Sequence, residues 1–545
     1  MTATTVRPSA RDARADGALA GLGTLLKMWL RRDRVMMPAW IYGLTALVSS
    51  TVYSFKNGYD APGSLESFAR GINDNPSMRA MYGPVLNEHT AAGVSAWRVG
   101  ATGAALTAVM CVLLVVRHTR AEEETGRLEL VGAAAVGRRA PLTAALAAAV
   151  TAAATLAAVV AVVMMVFGLP IAGSVVFGLS WFGAGLVFAG VAAVTAQLAE
   201  TSRLANGLAF AVLGAAYLVR GVADAGSAHW AAWLSPIGWA QLVRPHAGDR
   251  WAVLLLPLAA FLLLVAAAYA LAERRDLGAG ILAPAPGPAR AAPSLRGPLA
   301  LSWRLQRATL AGWSAAFLVY GLAIGGVVDG VDDLVNGSDA VLDDIRKIGG
   351  QQDLADAFLA TAMGLMALFA SAYAVQSVLR MRAEESAGRL EPVLATAVGR
   401  VRWAAANLAV TVAGTVVLLG ATGLAIGVVH GARSGDLGGQ LPRQLGAALV
   451  QLPAVWVIAA VTVLLFGLVP RATSAGWGVL TVCLLLGQVG PLLKLPQAVM
   501  DVSPFTHTPK LPGGGFDVLP VAALTAVAVA AAAAGLLAFR RRDIA

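Results

Sequence analysis

The chain has 545 residues, of which 58% are hydrophobic and only 13% are charged, and its mean hydropathy is +0.70. An ordinary soluble domain carries about a quarter charged residues, so this composition excludes a soluble globular protein, a disordered chain and a disulfide scaffold. The formal net charge of +10 fits basic cytoplasmic loops and does not require a nucleic-acid partner.

Residues 1–35 come before the first long apolar segment, and their polar, Arg-bearing start leads us to expect no removable signal peptide. The stretch 19–34 mixes leucines with basic residues such as Lys27 and Arg31. This pattern predicts an amphipathic elbow helix in the membrane interface, with Trp29 at the depth of the lipid headgroups. The alternative is a plain, positively charged flank to the first span.

Twelve apolar segments are each long enough to cross a membrane, which needs roughly 20 residues per helix. The predicted spans are 36–55, 99–116, 141–167, 175–199, 204–222, 251–271, 309–328, 357–379, 403–429, 445–469, 474–493 and 518–539. The sequence therefore predicts an all-α polytopic membrane protein with about 12 transmembrane helices in the plasma membrane.

The charges between these spans predict their orientation. With both termini cytoplasmic, the inside segments hold 28 Lys and Arg against 14 Asp and Glu, and the outside segments hold 13 against 17. This asymmetry follows the positive-inside rule. No ionisable residue is left in a predicted span centre, where ion-coupled transporters usually keep one.

Two segments of the chain are close copies of each other. Residues 120–138 read RAEEETGRLELVGAAAVGR, and residues 382–400 read RAEESAGRLEPVLATAVGR, with 14 of 19 positions identical at an offset of 262. Each copy follows the second span of its half. The chain is therefore predicted to be two parallel six-helix repeats, with a transport pathway between them.

The duplication divides the chain into segments with different expected roles. The first half is 36–272 and includes the loop 117–140. A Pro- and Gly-rich cytoplasmic linker follows at 273–300. The second half, 301–545, begins with its own amphipathic elbow and includes the loop 380–402.

The duplicated loop has the composition of a protein-docking element. Acidic residues open a short helical stretch, where they oppose the positive end of the helix dipole. Apolar and basic residues follow within a few turns. A loop that is merely solvated is the alternative, but the identity between the two copies favours a shared binding role.

This motif resembles the cytoplasmic loop of ATP-binding-cassette exporter permeases. The whole chain is similar in layout to the fused twelve-span permeases of the actinobacterial polyketide-antibiotic exporter family, the tetronasin type. In that family such loops are coupling helices that dock on nucleotide-binding subunits. The resemblance implies docking roles for Glu122, Glu123, Gly126, Arg127 and Glu129, and for Glu384, Glu385, Gly388, Arg389 and Glu391. The second copy has Pro392 where the first has Leu130.

The resemblance implies a permease that exports a hydrophobic drug, antibiotic or lipid-like molecule. The sequence contains no G-x-x-x-x-G-K-[ST] motif, so we expect no enzyme activity in this chain. Two docking loops imply two copies of a separate ATPase subunit, which would bind ATP and Mg. Catalytic residues, metal ligands and cofactors are expected to be absent here, and nucleic acid is not expected as a partner.

Aromatic residues near the span ends are candidates for contact with the hydrophobic substrate, although membrane-interface anchoring is the commoner role. They are Trp40, Tyr42, Tyr53, Tyr217, Trp313, Tyr320 and Tyr373. Two further expectations concern the outside loops: the acidic segment 329–356 could attract cations, and residues 223–250 and 494–517 could form re-entrant helices.

Two other functions are compatible with the sequence. A twelve-span, proton-coupled drug antiporter would also have parallel halves, although the span centres hold no acidic residue. A non-transport role, in which the permease connects an ATPase to an outside partner, is disfavoured by the short outside loops.

Overall fold

The computed structural model describes residues 17–59, 63–74, 76–134, 136–226, 228–276, 278–282, 289–328, 354–489 and 496–543. Throughout these ranges the secondary structure is helical, which confirms the predicted all-α polytopic fold. The first 16 residues, the linker segment 283–288 and nearly all of the acidic segment predicted at 329–356 lie outside the described residues.

The chain divides into two compact units, 1–287 and 288–545, and the boundary falls within the predicted Pro- and Gly-rich linker. In the first unit the α-helices are α1 (Leu22–Arg32), α2 (Met36–Asn57), α3 (Ser64–Asp74), α4 (Pro76–Tyr82), α5 (Ala91–His118), α6 (Arg120–Glu124), α7 (Arg127–Gly132), α8 (Ala140–Val166), α9 (Ile171–Leu198), α10 (Ser202–Ala225), α11 (Pro236–Leu242) and α12 (Leu255–Ala272).

The first unit is built around α9, which contacts α5, α8, α10 and α12. Small residues allow the helices to approach closely. A Cβ atom added at Gly103 of α5 would lie only 1.7 Å from the indole of Trp181, a completely buried residue of α9. Threonine side chains fix two helix starts, since Thr90 and Thr201 accept hydrogen bonds from backbone N–H groups in the first turns of α5 and α10.

The predicted elbow before the first span is present as α1, which is bent by 61° from α2. Its buried side chains, Leu25 and Trp29, pack against the beginning of α8. Trp29 packs inside the unit, where the indole is 1% exposed and stacks on the imidazole of His118. Its position at the depth of the lipid headgroups stays a prediction.

The α-helices of the second unit are α13 (Pro298–Val327), α14 (Leu354–Ser386), α15 (Leu390–Leu394), α16 (Arg400–Ser434), α17 (Leu437–Leu449), α18 (Leu452–Leu468), α19 (Ala475–Val489), α20 (Gln497–Met500) and α21 (Val518–Arg541). The expected second elbow is not a separate helix, because residues 298–310 form the first turns of the continuous helix α13. Unlike α1 and α2, these turns are not followed by a break.

Helices of the second unit pair closely. Helix α16 packs along α13 and α17, and α18 packs along α21. Gly467 and Gly535 allow the second contact, because a Cβ atom added at Gly467 would lie 2.1 Å from the carbonyl oxygen of Gly535. In the first unit α9 and α12 form the equivalent pair. In both units the pair joins the fourth and the sixth apolar helix.

Among the described residues, ten helical segments are long and apolar enough to cross a membrane, and α1 with α2 makes an eleventh candidate. Helices α17 and α18 count together as one of the ten. Helix α19 is a shorter apolar helix. The span predicted at 474–493 continues beyond it into residues outside the described ranges.

Short helices occupy the loops opposite the duplicated segments. In the first unit these are α3, α4, a 3-10 helix at His229–Leu234 and α11. Helix α11 contacts α5, α9 and α10 and buries Ile237 and Ala240. In the segment 223–250, predicted as a candidate re-entrant element, α11 therefore packs on the helices of its unit, whereas Trp230 and Leu234 of the preceding 3-10 helix are exposed.

Candidate docking site on the duplicated loops

The duplicated loops adopt matching backbone conformations. In the first unit α6 and α7 meet at Gly126, and in the second unit α14 and α15 are separated by Gly388. Both glycines have a φ of +68°, which side chains other than glycine disfavour. Both copies therefore share the same sharp turn, which follows the short helix α6 in the first unit and the end of the long helix α14 in the second.

The side chain of the second glutamate in each copy is almost inaccessible to solvent and is bound to an arginine that follows the last helix of the same unit. Arg275 donates two hydrogen bonds to the carboxylate of Glu123, at 2.6 and 2.9 Å. Arg542 does the same to Glu385, at 2.6 and 2.8 Å. We call Glu123–Arg275 and Glu385–Arg542 the anchor pairs, because each fixes a duplicated loop to the end of α12 or α21.

Further arginines complete each anchor pair. Arg120, which is buried, donates to Glu123 at 2.8 Å and to the carbonyl oxygen of Ala196 at the end of α9. Its counterpart Arg382 lies 3.3 Å from Glu385. Such hydrogen-bonded, oppositely charged groups can remain ionised away from water, whereas one partner alone could not.

The first glutamate of each copy pairs with the arginine after the turn. Arg127 lies 3.8 Å from Glu122, and Arg389 donates to Glu384 at 2.9 Å. Glu122 also binds Arg32 of α1, so the first loop is connected to the elbow helix. Four of the six acidic residues predicted to dock a partner are therefore engaged within their own unit: Glu122, Glu123, Glu384 and Glu385.

Other loop residues remain available to a partner. Leu128 and Leu390 are buried beneath the loops, whereas Arg127, Glu129 and Leu130 are exposed in the first unit. Arg389, Glu391 and Pro392 are exposed at the same positions of the second copy. These six residues are called the exposed loop residues below. The difference between Leu130 and Pro392 alters this surface and leaves the turn unchanged.

A buried ionic contact joins the elbow region to the helix that precedes the first loop. His118, the last residue of α5, binds the carboxylate of Asp33, and both side chains are fully buried. Arg117 lies 3.4 Å from the other oxygen of the same carboxylate. This pair was not predicted, because Asp33 stands among arginines in what has the pattern of a basic flank.

Arg275 and Arg542 were also missed, although the sequence contains a signal for them. The tripeptide Arg-Arg-Asp occurs at 274–276 and again at 541–543, each time at the end of the last apolar helix of a half. Its second arginine is the anchor residue in both units. A search for short repeats outside the main duplication would have found this correspondence.

The structure places the predicted substrate-contact residues in different surroundings. Tyr42 and Tyr53 are exposed on α2, and Trp40 packs partly against the core of the first unit. Tyr217 donates a hydrogen bond to the carbonyl oxygen of Met81. Trp313, Tyr320 and Tyr373 share one core cluster of the second unit, with the rings of Trp313 and Tyr373 6.3 Å apart. Substrate contact stays a prediction for all seven.

Comparisons with known proteins agree with this architecture. The family model described as "Multidrug efflux system permease Rv1217c, C-terminal domain" matches residues 295–540. The multidrug efflux system permease protein Rv1217c of Mycobacterium tuberculosis is 42% identical to this chain over 542 residues, which cover 99% of the chain and 98% of that protein. The chain therefore belongs to the family of this multidrug efflux permease, and it is a multi-pass membrane protein.

Proposed function

We propose that the chain is the permease subunit of an ATP-driven exporter in the plasma membrane, and that its two duplicated loops dock a separate ATPase. The exported molecule is a hydrophobic drug, antibiotic or lipid-like compound. The efflux role of the Mycobacterium tuberculosis relative supports the direction and the class of cargo. The name of that relative does not specify the source of energy.

The observation that carries the ATPase proposal is the equivalent construction of the two loops. In each unit an anchor pair binds the loop to the last apolar helix, while Arg and Glu at matching positions stay exposed. A loop held in this way can transmit a displacement to the helices behind it. Two equivalent surfaces suit two copies of one partner, which would supply the bound ATP and Mg.

The alternative of proton-coupled antiport is less well supported. Transporters of that kind generally keep ionisable groups near the middle of the membrane. In the described part of the chain, the buried Asp, Glu, His and Arg side chains lie in short loop helices or within two turns of a helix end, as with Asp33, His118, Arg220 and Asp224. Their hydrogen bonds and ion pairs connect helices and loops to each other.

The proposal is tested by reversing the exposed charges of both loops together. The variant combines Arg127→Glu, Glu129→Arg, Arg389→Glu and Glu391→Arg, and it leaves Glu123, Glu385 and their arginines in place. We expect loss of drug efflux from cells without loss of membrane-inserted protein, because the anchor pairs that hold the loops are retained. Efflux is measured as the rate at which energised cells lose a fluorescent drug.

A matched control exchanges two exposed charges in a loop opposite the duplicated segments. Glu66 and Arg70 lie 3.9 Å apart on the surface of α3, so Glu66→Arg with Arg70→Glu keeps the net charge. This variant should retain full efflux. Efflux by the loop variant at the rate of the control would contradict docking through the exposed loop residues.

A further inference from the structure

The first unit contains a cavity of about 960 Å³ beside its duplicated loop. The loop, the beginning of α8 and the end of α12 form its walls, and its apolar surface includes Leu128, Leu142 and Tyr269. Sites for small molecules commonly measure about 300–1,000 Å³ and are lined mainly by apolar groups. The cavity thus has the size and lining of a site for a drug-sized ligand.

Bulky side chains fill the corresponding position of the second unit. The offset of the duplicated loop, 262, aligns Pro141 at the cavity wall with Trp403. The ring centroid of Phe539 lies 5.9 Å from that of the buried Trp403 and 5.0 Å from that of Phe466. The guanidinium of Arg542 lies over Phe466 and Phe539. The difference between Pro and Trp thus leaves space in one unit where the other is packed.

Charged groups on the cavity wall indicate the polar part of a ligand. Three arginines and three acidic residues contribute to the wall, which is therefore balanced in charge. Arg275 pairs with Glu123, and Arg139 pairs with Glu273. Among the described side chains, Arg138 and Asp276 make no ion pair, and Arg138 donates only a long hydrogen bond of 3.3 Å to the carbonyl oxygen of Ala272.

We infer that this cavity binds an amphiphile with a zwitterionic headgroup. Arg138 would bind the phosphate or carboxylate of the ligand, and Asp276 would bind its ammonium group. The apolar body would pack against Leu128, Leu142 and Tyr269. Both side chains are exposed to solvent, so a purely anionic or purely cationic amphiphile would form only one of the two charge-assisted contacts, and we expect it to bind more weakly than a zwitterion.

This inference rests on the proposed function in one respect: a site beside the docking loop is suitably placed to receive cargo for export. The ligand chemistry is shared by an aminophospholipid and by a zwitterionic drug. Binding itself requires neither ATP nor a partner subunit. The site can therefore be examined on the full-length permease alone.

The test uses a lysophosphatidylethanolamine with a diazirine in its acyl chain, added to the purified permease in a non-ionic detergent. After irradiation, the labelled peptides are identified by mass spectrometry. We expect labelling of residues 128–142 and of the end of α12. A diazirine fatty acid and a diazirine alkyl trimethylammonium salt, the anionic and cationic counterparts, should label these peptides less.

Two kinds of variant make the test specific. Pro141→Trp places in the cavity wall the tryptophan that the second unit has at the matching position, Trp403. Because this side chain would fill the cavity, labelling should fall about tenfold. Pro170→Trp, which changes the proline before α9 at the opposite end of the unit, should leave labelling unchanged. Arg138→Gln and Asp276→Asn keep the cavity open, and each should lower labelling by the zwitterion about fivefold to tenfold, since each removes a hydrogen bond to a charged group.

Competition then identifies the natural source of the ligand. Displacement of the label by phosphatidylethanolamine indicates a lipid, and displacement by ciprofloxacin, a zwitterion at neutral pH, indicates a drug. Either result supports the site. Labelling that neither compound displaces, or that Pro141→Trp leaves unchanged, would overturn it. Because the assay contains no ATPase, that failure would be distinct from a failure of the efflux experiment.

Discussion

The carboxylate of Glu385 and the guanidinium of Arg542 form two hydrogen bonds of 2.6 and 2.8 Å across 157 positions of the chain. Glu385 is in the duplicated loop, and Arg542 directly follows the last helix of the second unit. The same contact between Glu123 and Arg275 is present in the first unit. A force on either loop would therefore act on the last apolar helix of the same unit.

Removal of one member of an anchor pair should destabilise the protein. Arg542→Gln leaves the fully buried carboxylate of Glu385 without its strongest partner, which should cost about 3 kcal/mol. The measurement is the thermal unfolding of purified protein in detergent. Arg541→Gln, at the exposed neighbouring arginine, is the control and should unfold close to the wild-type temperature. Equal unfolding temperatures for the two variants would show that the anchor pair contributes no stability.

The turns at Gly126 and Gly388 should be sensitive to any side chain. No neighbouring atom would contact a Cβ at either position, so the cost of Gly126→Ala or Gly388→Ala is purely conformational, about 1 kcal/mol each. Gly364→Ala, inside helix α14 and equally uncrowded, should instead be neutral or stabilising. The unfolding temperature should fall for Gly126→Ala and Gly388→Ala, and it should stay the same or rise for Gly364→Ala. Equal changes in all three variants would argue against the left-handed turns.

Close packing of α5 on α9 should depend on Gly103. Gly103→Val would force two methyl groups into the indole of Trp181, at an expected cost of about 1–3 kcal/mol or more. Gly214→Val on α10 is the matched control, because no atom lies within 4 Å of a Cβ there. The amount of monodisperse protein recovered from membranes should fall for the first variant only. Normal recovery of Gly103→Val would contradict this helix contact.

The loop after α11 should make stability depend on pH. Burial lowers the pKa of His246 below its ordinary value of 6.5, and Asp249 opposes this effect only in part. Below pH 6.5 the unfolded chain therefore binds this proton more readily than the folded protein, so stability is lost as the pH falls. His246→Gln should make unfolding temperatures less dependent on pH between about 7.5 and 5.5. The exposed His507→Gln variant should keep the wild-type slope.

Much of the fold could be predicted from the sequence because apolar length is a strong signal. The span predicted at 175–199 closely matches α9, and the predicted loop at 117–140 contains both α6 and α7. The elbow was predicted from its alternation of apolar and basic residues. Its environment was not, because Trp29 on an amphipathic helix can face lipid or protein equally well, and only the contact with His118 decides between them.

The candidate site was predicted in outline. The duplicated residues identified the loops, but sequence identity alone cannot distinguish a residue that fixes a loop from one that contacts a partner. Glu123 and Glu385 belong to the first class, as their burial and anchor arginines show, whereas Arg127 and Arg389 remain exposed. The cavity beside the first loop could not be predicted, because its wall combines residues far apart in the sequence, such as Leu128, Pro141 and Tyr269, which come together only once the helices are packed.

The central claim, that both loops dock an ATPase, is tested most directly by co-purification with that subunit. The permease and the P-loop ATPase from its own cell are expressed together, and the stoichiometry and ATP hydrolysis of the isolated complex are measured. We predict two ATPase copies per permease and hydrolysis stimulated by the transported drug. Both should disappear when the charges of Arg127, Glu129, Arg389 and Glu391 are reversed and persist in the Glu66–Arg70 exchange. A complex of unchanged composition and activity in the loop variant would contradict the account.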